Sequence, residues 1–142
     1  MNPFLVAPTP RDSMPDAIAA IAGANAIVLA CHISPDGDAL GSLLGLGLGL
    51  RAMGKNVTLL SADGVPESLR FLPGSETVSQ STERHDFDLA IVVDSGDLAR
   101  VGSARATIES APCVVNVDHH VTGTPFGAIR LVDGGEIGRA HV

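Results

Sequence analysis

A chain of 142 residues is one domain's worth of sequence and long enough to bury a core. Hydrophobic residues at 45%, charged residues at 18% and a mean hydropathy of +0.30 describe a globular domain and exclude a disordered tail. A net charge of −7, no Trp or Tyr and only four Phe exclude a basic, aromatic-lined groove for long nucleic acid.

The N-terminal MNPFLVAPTPRDSMPD lacks the basic start and long apolar core of a secretory signal. Helix is predicted from Asp16 to Gly23, entered by Pro15. AIVLACH, Ala26 to His32, is a continuous apolar run with a polar end, the pattern of a strand buried on both faces. Asp38 to Met53 reads as helix, with Asp38 near its start and Gly54 after its end. Its Gly41, Gly45 and Gly49 recur every four residues, and the spacing predicts a smooth stripe set close against the sheet. The apolar stretch Ala39 to Leu50 is too short to span a bilayer and holds four glycines, so no membrane role is expected.

Strands follow at Asn56 to Ala62, Asp88 to Asp94, Cys113 to Asp118 and Ala128 to Asp133, with a loop DGVPESLRFLPGSE after the first and a helix from Ser103 to Ser110. Strands alternating with helices imply an α/β fold, a mainly parallel, Rossmann-like sheet with helices on both faces. Cys31 and Cys113 each fall in a predicted buried strand, so a disulfide is not expected and a reducing cytoplasm fits. Cys31 beside His32 is, at most, a candidate nucleophile.

Charge gathers where apolar strands end. His32, Asp36 and Asp38 follow the first, Asp94 closes another, and Asp118, His119 and His120 close a third. In an open parallel sheet these ends share one edge, where ligands bind. Carboxylates brought together repel one another unless they are protonated or bridged by cations, and mixed imidazole and carboxylate donors suit Mn²⁺, Co²⁺, Fe²⁺ or Zn²⁺ better than Ca²⁺. The candidates outnumber the needs of one ion. Two ions about 3.5–4 Å apart, sharing a carboxylate, would use them and activate a water for in-line attack on phosphorus. Taken singly, each piece has a plainer explanation: Asp36-Gly37-Asp38 as a turn, Asp94 as a cap, His119-His120 as loop. GLRAMGKN, from Gly49, is no P-loop, because Asn56 stands where the Mg²⁺-binding hydroxyl belongs and a strand follows it.

HISPDGDALGS, VVDSGDLARVG and NVDHH, in that order, resemble motifs one to three of the DHH phosphoesterase superfamily. GKNVTLLSADGVPESLRFLPG and TGTPFGAIRLVD resemble its bacterial oligoribonucleases that also dephosphorylate 3′-phosphoadenosine 5′-phosphate, over about Ala17 to Asp133. The resemblance implies one Mn²⁺ on His32, Asp36 and Asp94, and a second on Asp38, Asp94 and His119, with Mg²⁺ or Co²⁺ as alternatives. It makes Asp118 and His120 catalytic residues, Asp118 orienting the histidine pair and His120 facing the substrate phosphate, with Arg100 as a further phosphate contact. Ser42 and Ser95 are either hydrogen-bonding neighbours or helix and turn residues.

Such proteins continue into a later Asp ligand and a C-terminal substrate-binding domain, whereas this chain ends at GGEIGRAHV. The expectation is therefore a single N-terminal catalytic domain, residues 1–142, that binds metal and hydrolyses short RNA or a small phosphorylated nucleotide weakly or not at all. The resemblance leaves a homodimer open. Rival readings are inorganic pyrophosphatase or cyclic dinucleotide phosphodiesterase chemistry on the same scaffold, and a metal-binding module without catalysis.

Overall fold

The computed structural model describes residues 10–95, 97–118 and 129–132, with backbone alone at 10–13, 118 and 129–132. Helix α1 runs Pro10–Gly23, β1 Ala26–Ala30, α2 Gly37–Ala52, β2 Asn56–Leu60, β3 Val78–Ser79, β4 Leu89–Val93, α3 Arg105–Ser110, β5 Val114–Asp118 and β6 Ile129–Val132. Short 3-10 turns occupy Glu67–Leu69 and Ser75–Thr77, and a longer 3-10 segment, Leu98–Ala104, leads into α3. The strands form one sheet in the order β3-β2-β1-β4-β5-β6. Every pairing is parallel, with Ile27 opposite both Val57 and Leu89, and Val117 opposite both Val93 and Leu131.

The central strands alternate their apolar side chains between two layers. Ile27, Leu29, Leu59, Ile91 and Val115 pack with α1 and α2 on one face. Val28, Ala30, Leu60, Val92, Val101 and Ile108 pack on the other, beneath the 3-10 segment and α3. Burial on both faces explains why these strands read as unbroken apolar runs, and each buried Leu or Ile contributes roughly 1.5–3 kcal/mol.

Helix α2 buries Leu40, Leu43, Leu44, Gly47 and Leu50, one face at helical spacing. That leucine stripe sets the rotation of the helix and corrects the expected glycine contact: Gly41, Gly45 and Gly49 are exposed, and a Cβ at any of them meets nothing within 4 Å. The close approach is at Gly47 instead, where a Cβ would lie 2.6 Å from Leu59 Cδ2. Asp36 caps α2, its Oδ1 accepting the Ala39 N–H at 2.9 Å, while Asp38 in the first turn and Arg51 in the last complement the helix dipole.

The first helix starts six residues before the predicted Asp16 and carries Pro15 inside it. Proline removes one N–H from the ladder, yet α1 retains Ala17 buried in the core and lies along β6. Further differences follow β2: the stretch read as loop contains one 3-10 turn and the start of another, and the short strand β3 comes directly after it. They are too short to generate a periodic signal.

Candidate metal centre

Strand β1 ends at Ala30, and the chain then turns through residues 31–36 to the N-terminus of α2. His32 lies in this turn, only 9% exposed. Its Nδ1 is 2.5 Å from the Ile33 carbonyl oxygen, so Nδ1–H donates there and Nε2 is the nitrogen that faces the carboxylates. Nε2 stands 3.3 Å from Asp94 Oδ2 and 3.9 Å from Asp36 Oδ1. Asp94 follows β4 and is 7% exposed, whereas Asp36 is exposed at the mouth. The three residues each offer one ligand atom, all within 4.8 Å of one another. One imidazole nitrogen and two carboxylate oxygens are a donor set for a borderline divalent ion, and the backbone bond on Nδ1 is the support that metal-binding histidines usually have.

Backbone strain marks the same place. Ser34 (φ 50°) and Asp94 (φ 54°) are the non-glycine residues with positive φ among the described residues. Aspartate tolerates this region better than most residues, and such conformations cluster at ligand sites. Surrounding contacts hold both. The Asp94 N–H donates to the Val117 carbonyl at 2.9 Å, tying the end of β4 to β5. Asp63 Oδ2 accepts the Ser34 N–H at 2.6 Å, and the Arg100 carbonyl accepts the Ile33 N–H at 2.6 Å. Gly102, at φ 62° and ψ −134°, lets the 3-10 segment close on this turn, since a Cβ there would sit 2.7 Å from Ile33 Cγ2.

Of the residues singled out in the sequence, the structure brings His32, Asp36 and Asp94 together. Asp38 is half-buried in the first turn of α2, outside this group of three. Asp118 ends β5, and His119 and His120 lie outside the described residues. Arg100 is exposed and serves the turn through its backbone carbonyl. Ser95 behaves as a turn residue, its hydroxyl donating to the Asp97 carbonyl at 2.9 Å. Asp63 and Gly102 were not anticipated. Asp63 carried only a turn signal in Asp63-Gly64, and nothing local distinguishes Gly102.

Cys31 is not the nucleophile its neighbour suggested. Burial pushes its thiol up to about 11 against the lowering effect of a Ser61 hydrogen bond, and the charges of Asp94 and Asp36 add to the rise, so it stays protonated in the core. Two buried polar side chains near the centre have no hydrogen-bond partner among the described residues: Asn116, at both amide atoms, and Ser42, at its hydroxyl. Leaving a buried polar group unsatisfied costs about 1–3 kcal/mol.

An open cavity of about 590 Å³ adjoins the end of β2, lined among others by Asp63, Arg70, Glu76 and Gln80. Its Asp63 is the residue that holds Ser34.

The parallel sheet covered by helices defines an α/β domain, with a candidate imidazole–carboxylate metal site at the C-terminal edge where such sheets bind ligands. Residues 26–133 match the model for the DHH family, N-terminal domain, and the chain belongs to that family. It is 39% identical over 108 residues to the bifunctional oligoribonuclease and PAP phosphatase NrnA of Thermus thermophilus, covering 75% of this chain and 32% of that protein. The NrnA of Bacillus subtilis is 33% identical over 108 residues, again 75% of this chain and 33% of the relative. The chain thus spans about a third of the length of these curated relatives. A solved exopolyphosphatase-related protein from Bacteroides fragilis superposes with a TM-score of 0.81 at 24% identity, covering 89% of this chain and 40% of that one, a likeness of fold.

Proposed function

We propose that the chain is the N-terminal catalytic domain of a Mn²⁺-dependent phosphoesterase acting on short oligoribonucleotides and on 3′-phosphoadenosine 5′-phosphate. The observation that carries this reading is the convergence of His32 Nε2, Asp36 and Asp94 within 4.8 Å at the C-terminal edge of the sheet. Membership of the DHH family and the similarity to two NrnA proteins favour this substrate class over the alternatives.

His32, Asp36 and Asp94 would hold one ion, and Asp38, Asp94 and His119 a second, with Asp94 shared between them. Bound there, the ions supply Lewis-acid polarisation of the phosphoryl group and neutralise substrate charge. The chain's own residues do the rest. The Ile33 carbonyl holds the His32 ring by its Nδ1–H, so Nε2 is the nitrogen that would meet the ion. Helix α2 fixes the Asp36 carboxylate by its capping bond, and the same Oδ1 is the oxygen that stands nearest His32 Nε2. Asp94, buried in its left-handed turn, brings charge to a place that excludes water. Asp118 would orient the histidine pair, while His120 and Arg100 would contact the phosphate.

The substrate is small and anionic in this reading, because a chain of net charge −7 attracts phosphate through bound cations and not through a basic surface. A cytoplasmic location fits two free cysteines, and no described helix is long and apolar enough to cross a membrane.

The test is an assay with Mn²⁺ on a diribonucleotide, 3′-phosphoadenosine 5′-phosphate and pyrophosphate in parallel. Mononucleotide from the first and phosphate from the second are expected, at low turnover for this chain alone. Phosphate from pyrophosphate alone would transfer the assignment to a pyrophosphatase. Metal binding with no product from any substrate, even at long incubation, would leave a non-catalytic metal-binding module.

A further inference from the structure

Asn116 stands out in β5. Val115 and Val117 pack with the α1 and α2 layer and Val114 with the opposite one, so Asn116 shares the face of Val114 beneath the 3-10 segment and α3. It is 1% exposed, and its register neighbour on β4 is the fully buried Val92. A valine here would complete an apolar layer, yet the chain places an amide whose oxygen and nitrogen both lack a partner among the described residues. Two positions further along β4 is Asp94, whose N–H is bonded to Val117, the residue after Asn116. Asn116 is thus on the strand to which the Asp94 backbone is tied, one residue before the carbonyl that accepts the Asp94 N–H.

Helix α2 repeats the arrangement. Ser42 is one turn after Asp38, on the same helix face, with its hydroxyl buried and without a partner among the described residues. A serine in a helix ordinarily bonds back to the carbonyl four residues earlier or points to solvent, and this hydroxyl does neither.

We propose that Asn116 and Ser42, on opposite faces of the sheet, are positioning residues for the metal centre: the hydrogen-bonding capacity of Asn116 is taken up by the Asp94 segment, and that of Ser42 by the Asp38 segment, as the ion loads. Native proteins retain few such groups, and those they retain concentrate where a ligand completes the bonding. The inference rests on the metal reading above and adds to it the residues that align the ligands.

The experiment compares Asn116→Val with Asn116→Thr, two side chains of one shape that differ by a hydroxyl, and Ser42→Ala with Ser42→Thr. Mn²⁺ affinity is measured by calorimetry and Tm on the metal-free chain. The expected result is a roughly tenfold loss of Mn²⁺ affinity in Asn116→Val and Ser42→Ala, with metal-free Tm unchanged or raised, and recovery of affinity in the two threonine variants. Unchanged affinity in all four would overturn the proposal, as would affinity and Tm falling together to the same extent in the Val and Thr pair, which is the mark of a packing role. If Asn116→Val does not fold, the Ser42 pair decides by the same criteria. A wild-type chain that binds no Mn²⁺ would remove the metal reading itself and this inference with it; wild-type binding with indifferent variants removes this inference alone.

Discussion

The two edges of the sheet use the same kinds of residue for different ends. At the N-terminal edge, Asp88 Oδ2 accepts the N–H groups of Asn25 and Ala26, both at 2.9 Å, and ties the starts of β1 and β4 together. Lys55 Nζ donates to the carbonyls of Ala22 and Ala24 at the end of α1, and Arg84 pairs with Asp86. Asp88 and Lys55 close the orphan backbone groups where a helix ends and a strand begins. At the C-terminal edge, His32, Asp36 and Asp94 turn their donor atoms toward one another, two residues hold positive φ, and a buried amide has no described partner. Polar groups at one edge are committed to the fold, and those at the other form the candidate metal site. A domain departs from local consistency where it functions.

Gly102→Ala should break this contrast most severely. It combines a backbone conformation that side chains rarely adopt with a Cβ 2.7 Å from Ile33, and should cost about 2–3 kcal/mol in denaturant unfolding while weakening metal binding through the His32 turn.

Substitution at Asp36 separates its two roles. Asp36→Ala should lose about 1 kcal/mol with the cap and lose metal affinity as well, whereas Asp36→Asn should keep the cap and lose only the affinity. Equal stability of the two variants in thermal melts would show that the capping bond contributes nothing.

Gly45→Ala, on the exposed side of α2 between the edges, should stabilise the chain by roughly 0.5–1 kcal/mol and leave metal affinity alone. The same change at Gly47 should destabilise, because Leu59 already fills the space.

The smallest effect belongs to Asp88. The backbone N–H groups of Ala26 and Asn25 hold its carboxyl below the ordinary carboxylate range. A depressed folded-state value means that its contribution is present above about pH 4 and fades as pH falls through the lowered value. Asp88→Asn should therefore narrow the stability difference between neutral and acid pH, seen in melts from pH 7 to 3, with Mn²⁺ binding at neutral pH unchanged.

Much of the fold was legible because burial on both faces leaves no polar alternation to interpret, so β1, β4 and β5 stand out as apolar runs. His32, Asp36 and Asp94 were legible for the complementary reason that polar residues directly follow those runs. Asp63 was not, because its bond to Ser34 joins residues 29 apart and leaves no local pattern. Gly102 was not, because its need for glycine comes from Ile33 across the fold. The glycines of α2 misled through a real period: their spacing was helical, but the leucines decided which face turned inward.

The central claim is that the C-terminal edge is a metal site joined through Asp94. The most direct measurement is Mn²⁺ stoichiometry and affinity by calorimetry on the wild-type chain and on Asp94→Asn, whose side chain keeps its shape and loses its charge. The account predicts saturable Mn²⁺ binding to the wild type and its loss in the variant, with both chains folded. Equal binding by the two would contradict it.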